Sequence, residues 1–246
     1  VLFRSHHQYK MALAALEAGV HGLRLNPGNI RRPEHIKAVA AECRDRGVPI
    51  RIGVNAGSLD PDLYEKYGGA TPEAMVESAQ RELEYFAEVD FDLVKISVKA
   101  SSVPLMVEAY RQLAEVTDHP LHLGVTEAGP PPIGTLKATA GMATLLAEGI
   151  GDTIRVSLTE ASHLEMEPCT RLRDVGHKAA QEKWGVDKFE EKGRDFKDFA
   201  RRASDLPVQK EDDAIDLRNI LHRDGSVLSA VTPAQLASED PFYRDL

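Results

Sequence analysis

Four cations, Arg24, Arg51, Lys99 and Arg155, stand in short runs where polar and apolar residues alternate. The polar sets are Arg24 and Asn26; Arg51, Gly53 and Asn55; Lys95, Ser97 and Lys99; His122, Gly124 and Thr126; Arg155 and Ser157. A period of two sends each set to one face of a strand. Cations gathered on one face and withdrawn from water need anions to match them. Arg offers a planar fork suited to phosphate oxygens, and Lys a point charge. A ligand carrying two phosphates would neutralise such a site. The glycine-containing loop 127–134 leads into a helix near Thr135 and adds backbone N–H donors at a helix start. Lys95 is the weakest member, because it lies deeper in its run than Lys99. Ser97 and His122, each taken alone, are equally well explained as satisfied core groups. Glu127 reads either as a partner for one arginine or as an acid/base group on a substrate hydroxyl, and the second is preferred.

These residues need elements to hold them. Strands are expected over 22–26, 50–54, 93–98, 121–125 and 153–158. Tyr9, Leu13, Leu16 and Val20 step by four, three and four, which is one helix face. Pro33 opens a second helix that Gly47 ends, and Thr71 with Pro72 opens a third. Leu105, Ala109, Leu113 and Val116 mark a fourth helix, and Leu136, Ala140, Ala143 and Ala147 a fifth. Strands alternating with helices of this length mean a parallel sheet. Helices must cover the apolar face, so the polar sets point into a barrel interior. They gather late in each strand, at the C-terminal mouth where (β/α) barrels hold their ligands.

Other classes are disfavoured. A net charge of −9 argues against a nucleic-acid or membrane-surface binder. No apolar stretch approaches the roughly 20 residues of a membrane span. The first residues carry no signal- or transit-peptide pattern, which makes the cytoplasm the default location. Cys43 follows Ile36 and Ala40 at helical spacing and reads as a small core residue, while Cys169 lies near a helix start. Neither a disulfide framework nor a cysteine metal site is expected from this pair. After Glu160 the composition shifts. The charged run 182–202, with Phe189, Phe196 and Phe199, reads as an exposed helix with a narrow apolar stripe, and 225–231 as a strand.

The same segments carry a resemblance. Leu23-Arg24-Leu25-Asn26-Pro27-Gly28-Asn29-Ile30 is similar to the R-x-N-P-G-N signature of 4-hydroxy-3-methylbut-2-enyl diphosphate synthases. Ile50-Arg51-Ile52-Gly53-Val54-Asn55-Ala56-Gly57-Ser58-Leu59 and Lys95-Ile96-Ser97-Val98-Lys99-Ala100-Ser101 resemble the next two strands of that family. Leu123-Gly124-Val125-Thr126-Glu127-Ala128-Gly129 and residues 149–158 resemble the last two. Pro168-Cys169-Thr170-Arg171-Leu172 and His222-Arg223-Asp224-Gly225-Ser226-Val227 are similar to the large insert of the family's long form, found in plants and some bacteria.

The resemblance implies an α/β fold: the last five strands of an eight-stranded TIM-type barrel over residues 1–160. The start of a mixed α/β insert would occupy residues 161–246. It implies reductive ring opening and dehydration of 2-C-methyl-D-erythritol 2,4-cyclodiphosphate to 4-hydroxy-3-methylbut-2-enyl diphosphate, a step of isoprenoid biosynthesis. Arg24, Asn26, Arg51, Asn55, Lys99, Arg155 and Ser157 would bind the substrate, and Glu127 would act on its hydroxyl. A 4Fe-4S cluster would take its ligands from a C-terminal domain that nothing here resembles, with ferredoxin or flavodoxin as electron donor. A homodimer, with the active site between subunits, is also implied. The location would be bacterial cytoplasm, or a plastid for a plant-like source. Lacking the cluster domain and three barrel strands, the chain is expected to bind diphosphate weakly at most and not to turn over alone. Two other classes stay open: a stand-alone phosphate-binding barrel (an aldolase or pterin-type synthase using Lys99) and a non-catalytic binding module.

Overall fold

A computed structural model describes residues 8–182 and 184, together with the backbone of Leu2–Arg4. The strands are β1 (Leu2–Arg4), β2 (Gly22–Leu25), β3 (Ile50–Asn55), β4 (Val94–Lys99), β5 (His122–Leu123) and β6 (Thr153–Ile154). Between and after them run α1 (Tyr9–Glu17), α2 (Pro33–Arg46), α3 (Pro61–Tyr67), α4 (Pro72–Ala87), α5 (Val103–Val116), α6 (Ile133–Ala147) and α7 (Met166–Glu182). Strands β1 to β4 form one sheet in chain order, every pair parallel. Strands β5 and β6 form a second parallel pair, joined to the first sheet by a bridge between Ile96 and Leu121. The expected parallel α/β architecture is therefore present.

Local chemistry explains the helix limits. Thr71 caps α4 by accepting from the Ala74 N–H at 3.2 Å, and Pro72 follows at the first position, where a missing N–H costs nothing. Asp60 caps α3 in the same way, with Pro61 after it. Gly47 stops α2 at φ 63°, a left-handed conformation that glycine adopts without a Cβ clash.

The apolar half of each strand is buried under the helices. Leu23 and Leu25, Ile50 and Ile52, Ile96 and Val98, and Leu121 and Leu123 all lie in the core. Ile36, Val39, Ala40 and Cys43 of α2, Met75, Ala79 and Phe86 of α4, and Met106, Ala109 and Leu113 of α5 meet them. Each buried Leu or Ile contributes about 1.5–3 kcal/mol. Truncating Ile52, which has no exposed surface, to Ala would cost about 2–5 kcal/mol through the lost contacts and the cavity.

The expectations need three amendments. Strand β1 adds a sixth strand to the five expected. Helix α3 is also additional; its seven residues are too short for a readable apolar stripe. Strands β5 and β6 are each two residues long, because the backbone beyond them bonds outside a ladder. The Thr126 N–H donates to Ala100 O, and the Val156 and Leu158 N–H groups donate to side chains. The expected elements at 182–202 and 225–231 lie, beyond Glu182 and Trp184, outside the described residues.

Candidate functional site

The pairing register places the polar residues in rows. Arg24 is opposite Arg51, and Arg51 is opposite Lys95. One step further along, Gly53 is opposite Ser97, and beyond that Asn55 is opposite Lys99. In-register partners in parallel strands share a face. The apolar residues between them are the ones under the helices, so the cations occupy the other face.

Arg51 is 4% exposed and Lys99 8%, so both charges are largely withdrawn from water. Arg24 is half-buried and leans onto the neighbouring strand, where its Nη2 donates to Gly53 O at 2.6 Å. A Cβ on Gly53 would lie 2.2 Å from Arg24 Nε, so only glycine leaves room for this guanidinium. Gly124 serves Lys99 similarly: a Cβ there would lie 2.6 Å from Nζ and 3.0 Å from Arg155 O. Arg155 Nη2 donates to Ser157 Oγ at 3.0 Å, which presents both side chains together.

His122 reports the combined field. Burial first, then the charges of Lys99, Arg51, Lys95 and Arg155, push its imidazole down to about 2. The ring is therefore neutral across the physiological range. Its Nδ1 lies 2.8 Å from Thr153 Oγ1, while its buried Nε2 has no hydrogen-bond partner among the described residues. Ser97 donates to Ile52 O at 3.2 Å, the satisfied core role open to it from the sequence. Lys95, in the same row as Arg51 and four residues before Lys99, lines a cavity of about 1020 Å³ with Asp92, His119 and Pro120, which precede the strands. Sequence reasoning passed over Tyr110. Its fully buried hydroxyl donates to His122 O at 2.5 Å, and burial pushes its phenol up. Its place inside the apolar face of α5 disguised it as plain core.

At the strand ends the two asparagines shape loops. Asn26 accepts from the Gly28 N–H at 3.0 Å and donates to Ser58 Oγ at 2.8 Å, tying the loop after β2 to the one after β3. Asn55 accepts from the Gly57 N–H at 3.0 Å. Glu127 is exposed on the loop after β5, with φ 53°. A left-handed non-glycine costs about 1–3 kcal/mol and tends to occur at functional sites. Thr159 N–H donates to Gly129 O at 3.1 Å, linking this loop to the segment that carries Arg155 and Ser157.

A family model described as GcpE TIM-barrel domain matches residues 2–170. The chain belongs to that family. The chloroplastic 4-hydroxy-3-methylbut-2-en-1-yl diphosphate synthase (ferredoxin) of Arabidopsis thaliana is 44% identical over 251 residues, covering 91% of this chain and 34% of the relative. A flavodoxin-type synthase of Thermodesulfovibrio yellowstonii is 54% identical, covering 65% of this chain and 46% of the relative. One from Symbiobacterium thermophilum is 56% identical, covering 63% and 42%. The chain thus spans between about a third and a half of the length of these curated relatives.

A GcpE-family enzyme is expected to use a 4Fe-4S cluster, and the described residues do not fit one. Cys43 is fully buried in the core, and its thiol is pushed up to about 12 by burial and by Glu42. The Cys169 sulfur accepts from the Val156 N–H. No group of three or more His, Cys, Asp or Glu side chains suited to a metal occurs among the described residues.

Proposed function

We propose that this chain supplies the diphosphate-binding part of an enzyme that reductively opens and dehydrates 2-C-methyl-D-erythritol 2,4-cyclodiphosphate to 4-hydroxy-3-methylbut-2-enyl diphosphate. The observation that carries this reading is the cationic face, where Arg24 and the largely buried Arg51 share a row and the largely buried Lys99 lies with Arg155 O beside Gly124, within a GcpE TIM-barrel domain. In this reading those four cations neutralise the two phosphates. Ser157, Asn26 and Asn55 orient them, the asparagines partly through the loops they hold. Glu127, on the loop after β5, fixes a substrate hydroxyl. Face-buried cations hold an anion more strongly than exposed ones do, because water screens them less. The ligands of a cluster would lie outside the described residues.

Four parallel strands in chain order, with a parallel pair bridged to their last member, support assigning residues 1–160 to part of an eight-stranded barrel. The plant relative aligns over 91% of the chain and the bacterial relative over 65%, which supports assigning residues 161–246 to the long-form insert. Ferredoxin or flavodoxin as electron donor, a homodimer, and a cytoplasmic or plastid location belong to the same proposal. No described helix is long and apolar enough to cross a membrane.

Calorimetric titration of the chain with the cyclodiphosphate tests the reading. Wild type should bind, and Arg51→Ala should bind about tenfold to a hundredfold more weakly, the worth of a charge-assisted hydrogen bond. Equal affinities for a correctly folded variant would overturn it.

A further inference from the structure

We propose that Glu165 and Cys169 are positioning residues for the diphosphate site, acting through the backbone of residues 155–158 on Arg155 and Ser157. The proposal rests on the diphosphate reading given above.

Successive backbone N–H groups of an extended chain point to opposite sides. The Arg155 N–H donates to Leu123 O at 3.0 Å, on the β5 side. The next outward donor, Val156 N–H, meets Cys169 Sγ at 3.3 Å, and the one after it, Leu158 N–H, meets Glu165 Oε1 at 2.7 Å. β6 itself ends at Ile154. Past that point Arg155 and Ser157 ride on a segment held on one side by β5 and on the other by these two side chains.

The spacing fits the task. Glu165 closes a 3₁₀ turn (Ser162–Glu165), and Cys169 follows four residues later on α7. Four helical residues rise about 6 Å. Val156 and Leu158 are two residues apart in an extended segment, about 6.6 Å. The order reverses, 165 with 158 and 169 with 156, so the helix start runs antiparallel to the segment it holds. Leu172, 3% exposed, anchors α7 to the core one turn further on. The grip is unequal, because a carboxylate accepts strongly and a thiol weakly. Glu165 therefore carries most of it.

The Arg155 and Ser157 side chains are joined to each other by a hydrogen bond, while Val156 between them is buried in the core. Twisting the segment would separate the guanidinium from the hydroxyl without removing either. An acceptor that only satisfies an otherwise orphaned N–H would matter for stability alone. A positioning residue also matters for the ligand.

The test is calorimetry with 2-C-methyl-D-erythritol 2,4-cyclodiphosphate, paired with thermal unfolding. Glu165→Ala should weaken binding about tenfold, within the range of couplings between contacting groups. Glu165→Gln, which keeps an acceptor oxygen, should restore it to within about threefold of wild type. In an Arg155→Met background Glu165→Ala should cause a smaller loss of affinity, the part that acts through Ser157, although its effect on melting persists. Wild type alone supplies a second readout. Cys43 has no exposed surface, so alkylation by N-ethylmaleimide reports on Cys169. Saturating cyclodiphosphate should slow that alkylation, whereas a ligand on the inner face that leaves the segment alone would not. If wild type binds and Glu165→Ala binds equally well, or its loss is undiminished in the Arg155→Met background, the positioning role is overturned and the diphosphate site stands. If wild type does not bind, the diphosphate reading falls and this proposal falls with it.

Discussion

Replacing Glu82 by Gln should abolish a specific loss of stability between about pH 6.5 and 8. Glu82 faces the core from α4 at 2% exposure, and its Oε1 has no partner among the described residues. Ser78, one turn earlier, has a hydroxyl that is equally buried and unpartnered among them. Burial pushes the carboxyl up to about 8, while an unfolded Glu titrates near about 4.3. The folded chain therefore keeps a proton that the unfolded chain releases. Its contribution to stability is fully present below about pH 4.3 and is lost as pH rises through about 8. His122 works the other way. Its folded value of about 2 lies below the unfolded value near 6.5, so its contribution is present above about pH 6.5 and lost as pH falls. Cys43, raised to about 12, enters only above the unfolded thiol value near 8.5. Among these three, Glu82 alone acts between about pH 6.5 and 8. At about 1.4 kcal/mol per pH unit, wild type should lose about 2 kcal/mol across that window. For a chain of this size that is about 4–8 °C in Tm. Urea unfolding followed by circular dichroism at three pH values in the window measures it, and the isosteric, neutral Gln variant should be flat. A wild type level to within about 0.5 kcal/mol, or a variant falling in parallel, refutes the argument that burial sets this proton.

The glycines beside the cations offer sharper tests than the cations do. Gly124→Ala should displace Lys99, whose Nζ would lie 2.6 Å from the new Cβ, and calorimetry should show diphosphate affinity falling about tenfold with the charge count unchanged. Gly53→Ala should displace Arg24 and act in the same direction; a wild-type affinity in both variants would place the ligand elsewhere. Tyr110→Phe removes the donor to His122 O and should cost about 1 kcal/mol in urea unfolding, so an unchanged midpoint would show that the bond contributes nothing.

The polar face was legible because period-two alternation survives in the fold: Arg24, Arg51 and Lys95 stand in one row of the sheet, and Asn55 is opposite Lys99. Cys43 was legible for the corresponding reason at helical spacing. Strand β1 was not, since three residues cannot display an alternation. The asparagines were half-legible. Asn26-Pro27-Gly28 and Asn55-Ala56-Gly57 each place a backbone N–H two residues after an amide oxygen, which is a turn signal as much as a ligand signal. The backbone contacts of Glu165 and Cys169 left no trace in the sequence. A side chain reaching a backbone N–H seven or thirteen residues away has no period and no required partner type.

One pattern in this chain could be read earlier in another. A cation on one strand lies beside a glycine on or just past the next: Arg24 beside Gly53, and Lys99 beside Gly124. A long side chain that stood straight up from the sheet would need no such vacancy. One that lies across its neighbour does, and the vacancy must be a missing Cβ because the backbone itself cannot yield. The glycine therefore marks where the charge ends up, which the position of the cation alone does not. This also explains why the smallest substitution should be the most informative one. Arg24→Ala or Lys99→Ala removes a charge and leaves its former location unknown, whereas an alanine at Gly53 or Gly124 keeps the charge and moves it. A site that needs only net positive charge would tolerate the move; one built to meet phosphate oxygens at fixed places would not.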